Sequence, residues 1–237
     1  ALAPEHEVWA PDLPGFGRSV DPPCVFDVGD HADALVAWMT TVGVRHPVLL
    51  ANSFGCQVAI DLAQRYPDRV TALVLIGPTV DPSGHGWTPQ IGRWLLNATA
   101  EPNGLGATLL RDLRDAGIRR VATTFAHALR DRPKQKAEGI AVPALVVRGA
   151  QDRIVSAGWV EQLADSFPRG RALTIADGAH SVHYSDPGRV ASEVTGFLDA
   201  EGVATPLEES VEARDQVLAI AERAAEGDLL ALTRIHT

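Results

Sequence analysis

At 237 residues, with 46% hydrophobic and 22% charged positions, the chain has the size and balance of one globular α/β domain carrying an insertion, large enough to bury a substantial core. Its net charge of −9, with arginines scattered or set beside acids as in Arg111-Asp112-Leu113-Arg114-Asp115, argues against a nucleic-acid surface, which needs clustered Lys and Arg. No apolar run approaches the ~20 residues that span a bilayer.

In chain order, residues 6–10 (His-Glu-Val-Trp-Ala) predict a short strand, and Pro11-Asp12-Leu13-Pro14-Gly15-Phe16-Gly17-Arg18-Ser19 a loop punctuated by glycine and proline. Asp30 to Val42 sets Ala34, Leu35, Trp38, Met39 and Val42 at helical spacing, with Gly43 as a stop. Residues 47–51 predict a strand, 54–66 a helix ended by Pro67, and 70–76 a buried strand closed by Gly77-Pro78. Residues 79–140 break this rhythm. Trp87, Ile91, Trp94, Leu95 and Leu96 suggest one helix there, and 105–113 and 118–129 two more, with no convincing strand. The rhythm returns as strand 143–148, helix 156–167, strand 172–175 and helix 187–200.

Strands alternating with helices imply a mostly parallel sheet with helices on both faces. The expected organisation is a core from 1–80 and 141–200, a helical cap over 81–140, and a C-terminal helical extension over 201–237. That extension is acidic and alanine-rich, with Leu207, Val211, Leu218, Ala221 and Ala225 near one face, and is read as packing or disordered, with a homodimer contact as the alternative. Cys24 and Cys56 make neither a disulfide framework nor a metal spacing. The opening Ala-Leu-Ala-Pro-Glu-His has no basic start or apolar core of a secretory leader, so cytoplasmic residence is expected.

The chemistry centres on Val48-Leu49-Leu50-Ala51-Asn52-Ser53-Phe54-Gly55-Cys56-Gln57-Val58, where an apolar run meets a small-x-Ser-x-Gly turn and then a helix. A turn that tight strains the central residue and lifts its side chain off the sheet edge, making Ser53 a candidate nucleophile. A small-residue turn without chemistry is the plain alternative. A serine hydroxyl is a poor nucleophile near neutral pH and needs a base, whose tautomer another group must fix. Ligands of open parallel sheets bind outside the carboxyl ends of the strands. Asp152 follows the strand ending at Arg148, and His180 follows the strand ending at Ile175, in chain order Ser, Asp, His.

With these residues the sequence resembles the α/β-hydrolase family over most of 6–200. Ala51-Asn52-Ser53-Phe54-Gly55 is similar to its nucleophile elbow, with Ala51 where glycine is usual. Arg148-Gly149-Ala150-Gln151-Asp152-Arg153-Ile154-Val155 resembles its acid loop, Gly178-Ala179-His180 its histidine loop, and Asp12 to Ser19 its D-x-P-G-x-G-x-S segment. The resemblance implies Ser53 as nucleophile, His180 as general base and acid, Asp152 as the group orienting His180, and the Phe54 N–H as one oxyanion donor. No cofactor or metal is implied.

One departure concerns the family's second oxyanion N–H. It comes from a His-Gly loop after a strand that precedes the Asp12 segment, and this chain shows no such segment. In the family that strand lies between those at 6–10 and 47–51, which here must pair directly or leave their edges open. A longer native product is therefore expected, since loss of one oxyanion donor costs ~3–4 kcal/mol in a characterised protease.

Other residues carry plainer readings. His183 competes with His180 for the base, but Gly178-Ala179 precedes His180 as in the family. Asp81 is an alternative acid, read as a loop-solvated aspartate; Asp177, Asp165 and Asp186 read as turn or cap residues. His31, His127 and His85 read as surface or helix histidines, Cys56 as a small buried residue, and Trp159 as core. Trp87, Trp94, Leu95 and Phe125 either line a substrate pocket or hold the cap helices to the sheet. Arg93, Arg119 and Arg120 either meet a substrate carboxylate or are solvated.

The expected function is a serine hydrolase acting on a small hydrophobic ester or ketone through an acyl-enzyme, most broadly on carboxylic esters. The Asn52-Ser53-Phe54-Gly55 core also resembles hydrolases that cleave carbon–carbon bonds of ring-fission diketones, although those carry an aromatic residue where this chain has Ser181. A non-catalytic small-molecule binder of the same fold is the remaining alternative, favoured by the oxyanion departure.

Overall fold

The computed structural model describes residues 1–4, 6–82, 92 and 105–203, with backbone alone for 105–110. Helix α1 (Val28–Thr41) leads to β1 (Val48–Asn52), α2 (Phe54–Arg65) and β2 (Ala72–Ile76). Among the described residues, α3 (Leu105–Ala116), α4 (Ile118–Arg130) and α5 (Pro133–Ala137) precede β3 (Ala144–Gly149). Then come α6 (Ala157–Ala164), β4 (Gly170–Ile175), the short α7 (Val182–Ser185) and α8 (Pro187–Glu201).

The strands form one parallel sheet in the order β1-β2-β3-β4, with Val48 opposite Ala72, Leu73 opposite Ala144, and Ala144 opposite Gly170. β2 and β3 are buried along their whole length, as a parallel strand covered on both faces must be. Alternate side chains then serve opposite layers. Leu73, Leu75, Ala144 and Val146 join the cluster built on α1, α2 and α6, through residues such as Met39, Ile60, Trp159 and Leu163. Ala72, Val74, Ile76, Leu145 and Val147 meet Val190, Val194, Phe197 and Leu198 of α8.

Local signals explain the helix limits. α1 begins at Val28 rather than at the expected Asp30, because Asp27 and Asp30 form a reciprocal capping box. α8 has Asp186 as its N-cap, Pro187 in its first turn and Gly202 in the left-handed conformation at its end.

The expected strand at 6–10 does not form. Extended backbone becomes a strand only where a neighbour takes up its N–H and C=O groups, and β1 does not pair with this segment. Trp9 instead rests edge-on against Trp38 of α1, ring centroids 5.9 Å apart. Among the described residues no strand covers the outer edge of β1, where Leu50 is 40% exposed.

The described part of the insertion, 105–140, carries α3, α4 and α5, and α4 and α5 are stitched to the core. Arg120 donates to the Gly15 carbonyl at 2.7 Å and to Asp21 at 2.6 Å, and His127 Nδ1 donates to the Phe26 carbonyl at 3.1 Å. Gln57 donates to the Ala128 carbonyl at 2.9 Å, and Lys136 bridges the carboxylates of Asp61 and Asp131. Trp87 and Trp94, and the extension beyond Val203, lie outside the described residues. Among the described residues no helix is long and apolar enough to cross a membrane.

Candidate active site

The carboxyl ends of all four strands bring the sequence motifs to one rim. Ser53 follows β1 directly and takes φ +54° and ψ −120°, a left-handed strain that a serine adopts only where the surroundings impose it. It stands at the N-cap of α2, yet its side chain makes no capping hydrogen bond, so the hydroxyl is not spent on the helix. A Cβ added at Gly55 would meet the Ala51 methyl at 3.7 Å, an ordinary contact, so alanine in place of glycine at 51 fits the turn. The Phe54 N–H lies in the first turn of α2, where backbone donors have no intrahelical partner.

The end of β2 gathers the neighbouring pieces. The Ile76 carbonyl accepts from the Ser53 N–H at 3.0 Å, from Asn52 Nδ2 at 3.0 Å and from Cys56 Sγ at 3.4 Å. Asn52 Nδ2 also lies 3.4 Å from the His180 carbonyl, linking the elbow to the histidine loop. Burial pushes the Cys56 thiol far up, which leaves it inert as a nucleophile.

The acid and histidine loops are laced together beyond β3 and β4. Gln151 N–H donates to the Gly178 carbonyl at 2.8 Å, and a Cβ on Gly149 would come within 2.1 Å of that same oxygen. Only glycine permits so close a backbone crossing. The buried Arg148 guanidinium donates to the carbonyls of Val155, Asp152 and Ala150, bracing the acid loop from within.

The Asp152 carboxylate then faces His180. Its Oδ1 accepts from Ile154 N–H at 2.8 Å and Val155 N–H at 3.0 Å, while Oδ2 lies 2.9 Å from His180 Nδ1. A carboxylate only accepts, so Nδ1 carries the proton and Nε2 carries the lone pair. Both side chains are almost wholly buried. The pair can hold an imidazole as a base and stabilise the imidazolium formed when it takes a proton.

Several sequence readings change. Asp81 is not loop-solvated: it is 1% exposed, and its Oδ2 accepts from the Ser156 N–H at 2.9 Å, so Asp152 and not Asp81 meets the histidine. Of the two readings for His31 the helix one holds, since it lies in α1, but it is buried rather than at the surface: it is 1% exposed and ringed by Phe16, Phe26 and Phe54 at centroid distances of 5.7–6.1 Å. Arg120 is neither solvated nor free for a substrate, being engaged with Gly15 and Asp21. Phe125 packs with Val80, Ala128, Leu129 and Phe54, an apolar wall adjoining the residue after Ser53. Asn52 escaped functional notice because its carbonyl partners, Ile76 and His180, are distant in sequence, and Arg148 because it is spent on backbone carbonyls of the loop that follows it.

Comparison with known proteins is consistent with this geometry. The profile of the Alpha/beta hydrolase family matches residues 1–193. The 2-hydroxymuconate semialdehyde hydrolase of Pseudomonas sp. strain CF600 is 30% identical over 220 residues, covering 83% of this chain and 78% of that protein. The 2-(acetamidomethylene)succinate hydrolase of Mesorhizobium japonicum is 24% identical, covering 84% of this chain and 81% of that protein. Among solved structures, the meta-cleavage product hydrolase from Pseudomonas fluorescens superposes with a TM-score of 0.62 at 22% identity, covering 81% of this chain and 79% of that one.

Proposed function

The chain belongs to the alpha/beta hydrolase family and is a hydrolase, and on that premise we propose that Ser53, His180 and Asp152 are its catalytic residues. The observation that carries the proposal is a strained, uncapped Ser53 on the same rim as a His180 whose Nδ1 is committed to Asp152, with Asn52 linking the two loops.

In this reading the Ser53 hydroxyl attacks a substrate carbonyl carbon while its proton passes to His180 Nε2. The carbonyl oxygen gains negative charge and is met by the Phe54 N–H at the positive end of α2. The bond to the leaving group breaks, and His180 returns the proton to the departing oxygen. Water, deprotonated by His180, then attacks the acyl carbon, and the bond to Ser53 Oγ breaks as His180 returns that proton to Oγ, releasing the acid. Asp152 keeps the imidazole in the required tautomer throughout. A carboxylic ester of a small apolar acyl group is the substrate this supports best, since Phe54, Val80, Phe125 and Leu129 form an apolar wall beside the elbow.

The names of the relatives favour a second reading. Two of them are named 2-hydroxymuconate semialdehyde hydrolase and a third 2-hydroxy-6-oxononadienedioate/2-hydroxy-6-oxononatrienedioate hydrolase, which supports the alternative of a carbon–carbon bond hydrolase that the Asn52-Ser53-Phe54-Gly55 core resembles and Ser181 does not. The free thiols of Cys24 and Cys56 support cytoplasmic residence, and a homodimer through 201–237 is checked by the oligomeric state after truncation.

A fluorophosphonate probe tests the proposal. Stoichiometric labelling lost in Ser53→Ala is the expected result, whereas folded protein that stays unlabelled would falsify it and favour a non-catalytic binder. A panel of p-nitrophenyl esters beside one ring-fission diketone then separates the substrate classes.

A further inference from the structure

We propose that Gly77 is a positioning residue for His180, an inference that rests on the catalytic reading above and deepens it. Gly77 directly follows β2 and has φ +55°. Its backbone is pinned by its own N–H donating to the Val147 carbonyl at 2.8 Å, while the preceding Ile76 carbonyl holds Ser53 N–H and Asn52. A Cβ built on Gly77 would stand 2.8 Å from both Cε1 and Nδ1 of the His180 ring. Real Cβ atoms do not approach so closely, so the bare glycine backbone is the floor on which the imidazole lies.

The alternative to a moved floor is a moved ring, and the ring has little freedom. Its Nδ1 is tied to Asp152 at 2.9 Å, and its backbone carbonyl faces Asn52. A methyl at 77 would therefore lift the imidazole away from Asp152, away from Ser53, or both. The ends of β2 and of the elbow thus form one seat: Ile76 fixes the serine's backbone, and Gly77 fixes the depth of the base. Two other glycines give the needed contrast. Gly117 at φ +80° and Gly202 at φ +67° share the left-handed backbone but have nothing within 4 Å of an added Cβ. They would carry the conformational strain of substitution without touching the site.

The test compares Gly77→Ala with Gly117→Ala and Gly202→Ala in the full chain. Readouts are the rate of fluorophosphonate labelling and the low-field proton resonance of the Nδ1–H between His180 and Asp152. Gly77→Ala is expected to slow labelling by about 10²-fold, the scale of an ångström misplacement of a reacting group, and to shift or erase the resonance. The two controls are expected to melt earlier yet keep both signals. Labelling within twofold of the wild type, with an unmoved resonance, overturns the proposal. If the wild type itself does not label, the catalytic reading fails while the resonance still reads the seat. If Gly77→Ala does not fold, Gly77→Ala/His180→Ala is expected to fold, because the obstructing ring is gone; failure of that double variant also overturns it.

Discussion

Asp152 and His180 meet at 2.9 Å between Oδ2 and Nδ1, across loops that leave neighbouring strands of one parallel sheet. The bond fixes which imidazole nitrogen bears the lone pair. Asp152→Asn retains the shape but offers an amide that can donate, so the imidazole settles in the wrong tautomer. Hydrolysis of p-nitrophenyl esters is expected to lose about 10⁴ in kcat with little change in KM. A loss below tenfold would show that Asp152 does not orient the base.

Lys136 bridges Asp61 and Asp131, whose side chains are only 8% and 6% exposed. It joins the end of the inserted helices to α2. Burial raises the Asp131 pKa, and its carboxylate partners raise that of Lys136 against the opposing effect of its burial. Lys136→Met would leave the Asp131 carboxylate buried without its cation, while Asp61 keeps Arg65 at 2.7 Å, at a cost of roughly 3–5 kcal/mol. Urea unfolding measures it. Adding Asp131→Asn to that variant is expected to recover part of the loss.

His31 carries a pH signature. Burial lowers its pKa below 6.5, an effect opposed by Asp30 and Asp27 and reinforced by His127, and neither ring nitrogen has a hydrogen-bond partner. The unfolded chain therefore takes up a proton as pH falls through 6.5, while the folded chain does so only at lower pH. His31 contributes no destabilisation well above 6.5. Below it, stability declines with a slope of up to ~1.4 kcal/mol per pH unit until the folded pKa is passed. His31→Phe removes that slope, so the stability difference between variant and wild type should grow in the variant's favour from about pH 7.5 to pH 5.5. A constant difference across that range would rule the effect out.

Arg120 lies against Gly15 so tightly that a Cβ there would stand 2.8 Å from its Nε. Its bond to the Gly15 carbonyl is charge-assisted and partly buried, whereas its partner Asp21 is 76% exposed and contributes little. Arg120→Ala is expected to cost ~1.5–3 kcal/mol by thermal or urea unfolding, and Asp21→Asn under 1 kcal/mol. Equal losses for the two variants would assign the contact to the ion pair instead.

The pattern of residues alone determined the alternating strands and helices and the order Ser53, Asp152, His180, because apolar periodicity and glycine-rich turns are local properties. Its element limits fell within two residues for most of the core, including the start of α1, where the Asp27–Asp30 box reaches two residues earlier, and missed the end of α6 by three. Only the tertiary structure decided what each polar side chain met. Asp81 found the Ser156 N–H, Arg120 found Gly15, and His31 went into a cage of phenylalanines. The same holds for residues 6–10, whose strand pattern is real but has no ladder to join. Partners supplied from 75 or 105 residues away leave no local periodicity, so burial and pairing emerge only once the sheet has brought those segments together.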